Sequence, residues 1–251
     1  MKGQEQKPSR QRDAFLKDYF ENNHDAAVKK LESCGMSEIS PYRTDHWYIG
    51  DDADGTVRKY YSGKFKGEAC FAKLAKNDST IKNEIYVNAY VTEKGISFVP
   101  KTYYYEYDHG DGESLLITQF KAGIRDFSVP ESEEAFTQVC KCFIDMCRAF
   151  AAIGVQHGDI SESNLLVDSE GKLLMTDFGI GRAPGSEKFE IDYVVHDGTY
   201  YRTEGNLRTY DDVYSFLMML DDCGLPEGFK ALPCYKELRE MLGAFQFQVN
   251  I

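Results

Sequence analysis

No stretch of this 251-residue sequence is apolar for long enough to cross a membrane. Its start, Met1-Lys2-Gly3-Gln4-Glu5-Gln6, lacks the apolar run of a signal peptide. The expected setting is therefore cytoplasmic and reducing, in its own cell or a host's. The seven cysteines are odd in number and include no C-x-x-C pair. That argues against a disulfide framework or a zinc site, and for reduced thiols used as small apolar residues. His24, His46, His109, His157 and His196 show no ligand spacing such as H-E-x-x-H, so protease and metalloprotein readings fail. Positive charge is in deficit, with 29 Lys and Arg against 41 Asp and Glu and a net charge of −12. Such a chain repels nucleic acid and anionic lipid, and a basic peptide or protein is the more natural macromolecular partner. Internal repeats and low-complexity linkers are absent as well.

What is present suits a folded protein: 42% hydrophobic residues, 17 Tyr and 16 Phe, enough for one large domain or two small lobes around a cleft. Residues 1–12 are polar and basic. Phe15, Leu16, Tyr19, Phe20, Ala27, Val28 and Leu31 then recur at helical spacing. After Gly35 come five strand-like runs, Trp47–Ile49, Thr56–Tyr61, Ala69–Leu74, Phe98–Tyr105 and Leu115–Gln119, bounded by Gly, Asp and Asn. One helix interrupts them from about Ser79 to Thr92, with Asp78 and Ser79 as cap candidates. From Ser128 the texture is helical. Ser128 and Glu131 form a candidate capping box, and Phe136, Cys140, Phe143, Cys147 and Phe150 mark a long buried helix to Ile153. Short strands near Leu165–Val167 and Leu173–Thr176 follow, then a Gly- and Tyr-rich segment, then a helix from Asp211 or Asp212. The change from sheet to helix falls near Lys121–Gly123, the expected hinge.

The residues with most chemistry are His157-Gly158-Asp159-Ile160-Ser161-Glu162-Ser163-Asn164, followed by Asp177-Phe178-Gly179. Transfer of a phosphoryl group needs a cation to bridge the phosphate oxygens and a group to hold the attacking hydroxyl in line. Hard oxygen donors suit magnesium, so carboxylates and amides are the expected holders. A loop leaving a long helix can present Asp159 to an acceptor and Asn164 to a metal, and a turn after a short strand can bring Asp177 to the same metal.

These motifs resemble the catalytic loop and the D-F-G turn of the protein kinase superfamily. Asp159 to Asn164 is a five-residue step and Asn164 to Asp177 one of thirteen, as in that family, and the resemblance covers roughly residues 45 to 216. It implies an α+β, two-lobed fold: a five-stranded antiparallel N-lobe sheet with one helix, and a reduced, mainly helical C-lobe. The implied parts are an N-terminal helical extension (1–44), an N-lobe (45–120) and a minimal C-lobe (121–251). Cys70-Phe71-Ala72-Lys73 resembles the strand that carries the phosphate-holding lysine, which nominates Lys73 over its rival Lys76. Asn83-Glu84-Ile85 nominates Glu84 as its partner. Asp159 is then the catalytic base, and Asn164 and Asp177 hold Mg²⁺ or Mn²⁺. Gly50, Gly55 and Val57 match the phosphate-covering loop, while Thr118, Gln119, Phe120 and Lys121 line the adenine end of an ATP site.

Several residues depart from the family pattern. Asp52 replaces the middle glycine of the phosphate loop, beside Asp51 and Asp54. A carboxylate about 6 Å from a phosphate charge costs on the order of 3 kcal/mol at an effective dielectric near 20, and a plain hairpin turn at Asp54-Gly55 is the competing reading. Gly158 stands where the family commonly has an arginine that docks a phosphorylated activation segment, so activity without such phosphorylation is expected. Ser161 replaces a lysine of many serine/threonine kinases, a role open to Arg182 or Arg202. No A-P-E sequence follows Gly198-Thr199, and only 35 residues follow Phe216. The resulting expectation is an ATP-dependent minimal Ser/Thr protein kinase, with a protein substrate or an activating protein partner. The alternatives are a small-molecule or sugar kinase resembling aminoglycoside, choline or lipopolysaccharide kinases, and a pseudokinase or nucleotide-transferring module.

Overall fold

The computed structural model describes residues 23–43, 48–49, 56–107, 113–121, 123–186 and 200–250. Gly50, the Asp51–Asp54 run, Gly55 and Gly198-Thr199 lie outside the described residues, so the phosphate-loop and hairpin readings both fall there.

Helical residues 23–33 (α1) lead into strand β1, Met36–Pro41. The five expected strands follow as β2 (Tyr48–Ile49), β3 (Val57–Phe65), β4 (Glu68–Lys76), β5 (Thr102–Glu106) and β6 (Ser114–Gln119). They form one antiparallel sheet, ordered β1-β3-β4-β6-β5 with β2 paired to β3. Helix α2, Ser79–Glu93, connects β4 to β5. Asp78 caps it by accepting the Thr80 N–H at 3.0 Å. Strand β1 is an addition to the expected set. Only Met36 in it is fully buried, so its side chains carry no period-two signal.

The pleat of β4 divides the lobe into two faces. Ala72 and Leu74 point to one side, where they join Leu31, Tyr61, Phe65, Leu115 and Ile117 beneath α1. Phe71 and Lys73 therefore point to the other, toward the rest of the molecule. Helix α1 is thus part of the sheet's core, with Leu31 wholly inaccessible to solvent. Leu31→Ala is expected to cost about 2–5 kcal/mol of unfolding free energy by urea titration. A loss below about 1 kcal/mol, the scale of an ordinary surface change, would place α1 outside the core.

The second half comprises β7 (Arg125–Asp126), α3 (Glu133–Ala152), β8 (Leu165–Val167), β9 (Leu173–Met175), β10 (Tyr201–Glu204), β11 (Leu207–Asp211), α4 (Asp212–Asp222), α5 (Pro233–Glu240) and β12 (Gln246–Asn250). Helix α3 buries Phe136, Cys140, Phe143, Cys147 and Phe150, and Phe143 stacks on Phe216 of α4 with centroids 3.8 Å apart. Its cap is Ser132 rather than Ser128. The Ser132 hydroxyl accepts the Ala135 N–H at 3.2 Å, and Glu133 and Glu134 then fall in the first turn, where the helix dipole favours them. All seven cysteines are free thiols, and burial pushes the Cys70 thiol up to about 11. No helix among the described residues is long and apolar enough to cross a membrane.

Candidate active site

Lys73 lies near the centre of β4, between Leu116 of β6 and Tyr60 of β3 in the register. Its ammonium is almost fully buried. Nζ donates to Glu84 Oε2 of α2 at 2.5 Å and to Asp177 Oδ1 at 3.3 Å. The lysine thus joins sheet, helix and D-F-G turn at one point. Burial pulls the ammonium's pKa down, but the Asp177 and Glu84 carboxylates outweigh it and push it up. For Glu84 burial dominates and holds the carboxyl at about 7, against the pull of Lys73. Burial also pushes Asp177 up, yet Lys73 and the nearby Arg58 guanidinium prevail and hold it at about 2. Arg58 itself is fixed by Asp78, the α2 cap, and by the Thr80 hydroxyl at 3.1 Å.

The D-F-G turn is held from behind. Asp177 adopts φ 61°, a left-handed conformation that aspartate tolerates better than most residues. Asn83, beside Glu84 and fully buried, donates its amide to the carbonyls of Phe178 (3.1 Å), Gly179 (3.1 Å) and Gly181 (2.8 Å). A shift of α2 therefore moves the turn and the lysine's partner together. The sequence names Asn83 only as Glu84's neighbour, and the one available signal is its place among Ile81, Ile85, Val87 and Val91, the buried apolar positions of that helix.

The catalytic-like loop is equally determined. His157 is buried, with Nε2–H donating to the Thr176 carbonyl at 2.8 Å and Nδ1 accepting the Asp159 N–H at 3.1 Å, which fixes its tautomer. Asn164 donates to the Asp159 carbonyl at 2.9 Å and to Asp159 Oδ2 at 3.1 Å. Asp212, at the start of α4, accepts the N–H groups of His157 (2.9 Å) and Gly158 (2.7 Å). Burial pushes its carboxyl up, while His157 and these two N–H groups pull it back.

Lys73, Glu84, Asn164 and Asp177 line one cavity of about 210 Å³, together with Thr118, Gln119 and Phe120. Val57 is buried at the start of β3. Lys121 turns its side chain to Asp168, with Nζ 3.6 Å from Oδ2. Neither Arg182 nor Arg202 lines the cavity. Arg182 lies over the Phe247 ring at 5.5 Å, and Arg202 pairs with Asp211 at 3.3 Å. Among the described residues, the cationic side chains that do line it, besides Lys73, are Arg43 and Arg125. Arg43 clasps both oxygens of Asp126 at 2.6 Å, tying the segment before β2 to β7 across the cavity mouth. Four aromatic rings also line it. Phe71 stacks on Tyr60 (5.7 Å) and meets Tyr42 edge-on (5.8 Å), and Tyr42 meets Phe120 (5.5 Å). Phe71 was legible as a lining residue, because position i−2 from Lys73 on a strand shares its face.

Residues from separate elements converge on one lysine in a cleft below an antiparallel sheet, the arrangement that the resemblance to protein kinases implies. No family model matches the chain. In sequence it is similar to Wall-associated receptor kinase-like 21 of Arabidopsis thaliana, 25% identical over 209 residues, covering 75% of this chain and 33% of that protein. It is also similar to a serine/threonine-protein kinase of Schizosaccharomyces pombe, 29% identical over 108 residues, covering 41% of this chain and 10% of the yeast protein. The chain thus spans about a third and a tenth of these relatives. Among solved structures, the Cydia pomonella granulovirus kinase PK-1 aligns with a TM-score of 0.42 and 19% identity, over 63% of this chain and 57% of that one. The sequence similarity is thus to protein kinases, in agreement with the motifs that meet at Lys73.

Proposed function

We propose that the chain is an ATP-dependent phosphotransferase that moves the γ-phosphoryl group to a protein hydroxyl. The observation that carries this reading is the Lys73 ammonium held between Glu84 and Asp177 in a cleft that also contains Asn164. Lys73 would clamp phosphates, Glu84 would fix Lys73, and Asp159 would orient and deprotonate the acceptor. The N–H groups of Gln119 and Phe120 donate to the Lys101 and Ala69 carbonyls, so the hinge donor for a base falls to Lys121.

Among the described residues no three His, Cys, Asp or Glu side chains gather as a metal site. That suits Mg²⁺, which is commonly held by one or two protein oxygens plus substrate phosphates. Asp177 supplies one ionised carboxylate whose side chain is 41% exposed. Asn164 supplies its amide oxygen, since its nitrogen is spent on Asp159. When bound, the metal neutralises charge on the phosphate oxygens.

Incubation with γ-labelled ATP and Mg²⁺, beside a basic protein and a panel of aminoglycosides, choline and sugars, tests the reading. Label on protein is expected. Label only on a small molecule would transfer the reading to the small-molecule kinases, for which His157-Gly158-Asp159 speaks. No label at all would favour a non-catalytic module, for which the acidic residues Asp51, Asp52 and Asp54 and Ser161 speak.

A further inference from the structure

We propose that strand β12 is a built-in brace for the catalytic loop, with Phe247 as its positioning residue, so that the loop is set without a phosphorylated segment docking on it. The catalytic consequence rests on the phosphotransferase reading; the mechanical one does not. Gly158 sits at φ 80°, and a Cβ there would lie 2.7 Å from Phe247 Cζ and 2.9 Å from Cε1. The ring therefore lies directly on the loop backbone, at the position where the family resemblance puts an arginine. Only glycine meets both conditions, the left-handed backbone and the contact with the ring.

The ring is fixed in turn. It stacks on the buried Tyr210 of β11, with centroids 5.0 Å apart and planes at 15°, and Arg182 covers it at 5.5 Å. Phe247 and Val249 pack with Tyr201 against Ile180 and Tyr210, a small apolar cluster separate from the main core and built around the residue that follows the D-F-G turn. Three polar ties register the strand on the loop. Gln156 donates its side-chain amide to the Gln246 carbonyl at 2.9 Å, Asp212 donates its N–H to the Phe245 carbonyl at 3.1 Å, and Gly243 donates its N–H to Asp211 at 2.8 Å. Asp212 also accepts the His157 and Gly158 N–H groups, so the loop is held by a carboxylate and a ring that belong to one connected unit. The arginine that the resemblance places immediately before Asp159 is thus replaced by Gly158 and a ring supplied by β12.

Two readouts on Phe247→Ala, Phe247→Leu and Phe247→Tyr test the brace. In hydrogen exchange of the protein without nucleotide, Phe247→Ala should expose the His157 and Gly158 amides, raising their exchange at least about tenfold while amides within α3 keep their rates. In phosphate transfer, Phe247→Ala should lower kcat by about tenfold to a hundredfold, the scale of a small misplacement of reacting groups, with KM for ATP nearly unchanged. Phe247→Leu, which keeps an apolar side chain over Gly158, should recover part of both, whereas Phe247→Tyr should not, because its hydroxyl extends from Cζ, the ring atom nearest Gly158. Phosphatase treatment of the unaltered protein should leave its activity intact. The proposal is overturned if Phe247→Ala merely lowers the melting temperature and leaves the loop's exchange and kcat as they were, or if phosphatase removes activity. If the unaltered protein transfers no phosphate, the functional reading fails, and exchange at His157 and Gly158 still decides the brace.

Discussion

Asp177→Ala is expected to abolish metal-dependent phosphoryl transfer while the protein stays folded. The side chain is open to the cleft, and Lys73 and Arg58 hold its carboxyl at about 2, so the charge is present at neutral pH. Among the described residues that line the cavity, neither of the other carboxylates duplicates it. Glu84 is turned to Lys73, and Asp126 is clasped by Arg43. The expected loss is about a thousandfold, the scale on which removal of a single electrostatic stabiliser is felt in enzymes generally. Because φ at Asp177 is positive, alanine adds backbone cost, and Asp177→Asn separates the two effects: asparagine tolerates that conformation and lacks the charge. Both variants should lose transfer, measured as label incorporated against Mg²⁺ concentration, with melting temperature as the control for folding. Linkage gives an independent sign. The folded carboxyl lies below its unfolded value near 3.9, so it contributes stability above that pH that disappears as pH falls toward about 2. Asp177→Asn should lack this acid-limb loss.

Lys73→Met is expected to have the second large effect, lowering both stability and nucleotide binding. Removing one partner of a buried ion pair leaves a charge without compensation, at a cost of about 3–5 kcal/mol. Here the orphan is Glu84, nearly buried and facing Asp177. Its carboxyl is already at about 7 with the lysine present, and it rises further without it. A carboxyl whose folded pKa exceeds its unfolded value near 4.3 loses stability as pH rises through the interval between them. In the unaltered protein that interval ends near 7; in Lys73→Met it extends to more alkaline pH. Urea titrations from pH 5 to 9 should show the variant close to the parent at the acid end and progressively weaker above neutrality. Adding Glu84→Gln should flatten the slope. A deficit independent of pH would mean that Lys73 contributes packing rather than charge.

The candidate site's residues were legible because they are written in short spacings. Asp159 with Asn164, and Asp177 with Phe178 and Gly179, sit within single turns or loops, so their geometry follows from local sequence. Lys73 and Glu84 needed only a strand followed by a helix, and Asp78 marked that helix's start. What escaped depends on pairing across distance. Strands β1 and β10 expose most of their side chains and carry no alternation to read. The sheet β10-β11-β12 exists because Tyr210 and Phe247 stack, which no window of residues displays. Ser128 and Ser132 are both plausible caps, and the choice between them is made by which turn puts Glu133 and Glu134 at the helix dipole. The Arg43–Asp126 clasp and the Tyr42–Phe71–Phe120 rings likewise follow from sheet register rather than from motif.

The central claim is that Lys73, Asp159, Asn164 and Asp177, carried on three separate pieces of chain, act as one phosphate-and-metal site. Autophosphorylation with γ-labelled ATP tests it most directly, run with Mg²⁺, with chelator, and with Asp159→Asn. The account predicts label on the protein that requires the metal and disappears in the variant; label that persists in chelator, or in Asp159→Asn, would contradict it.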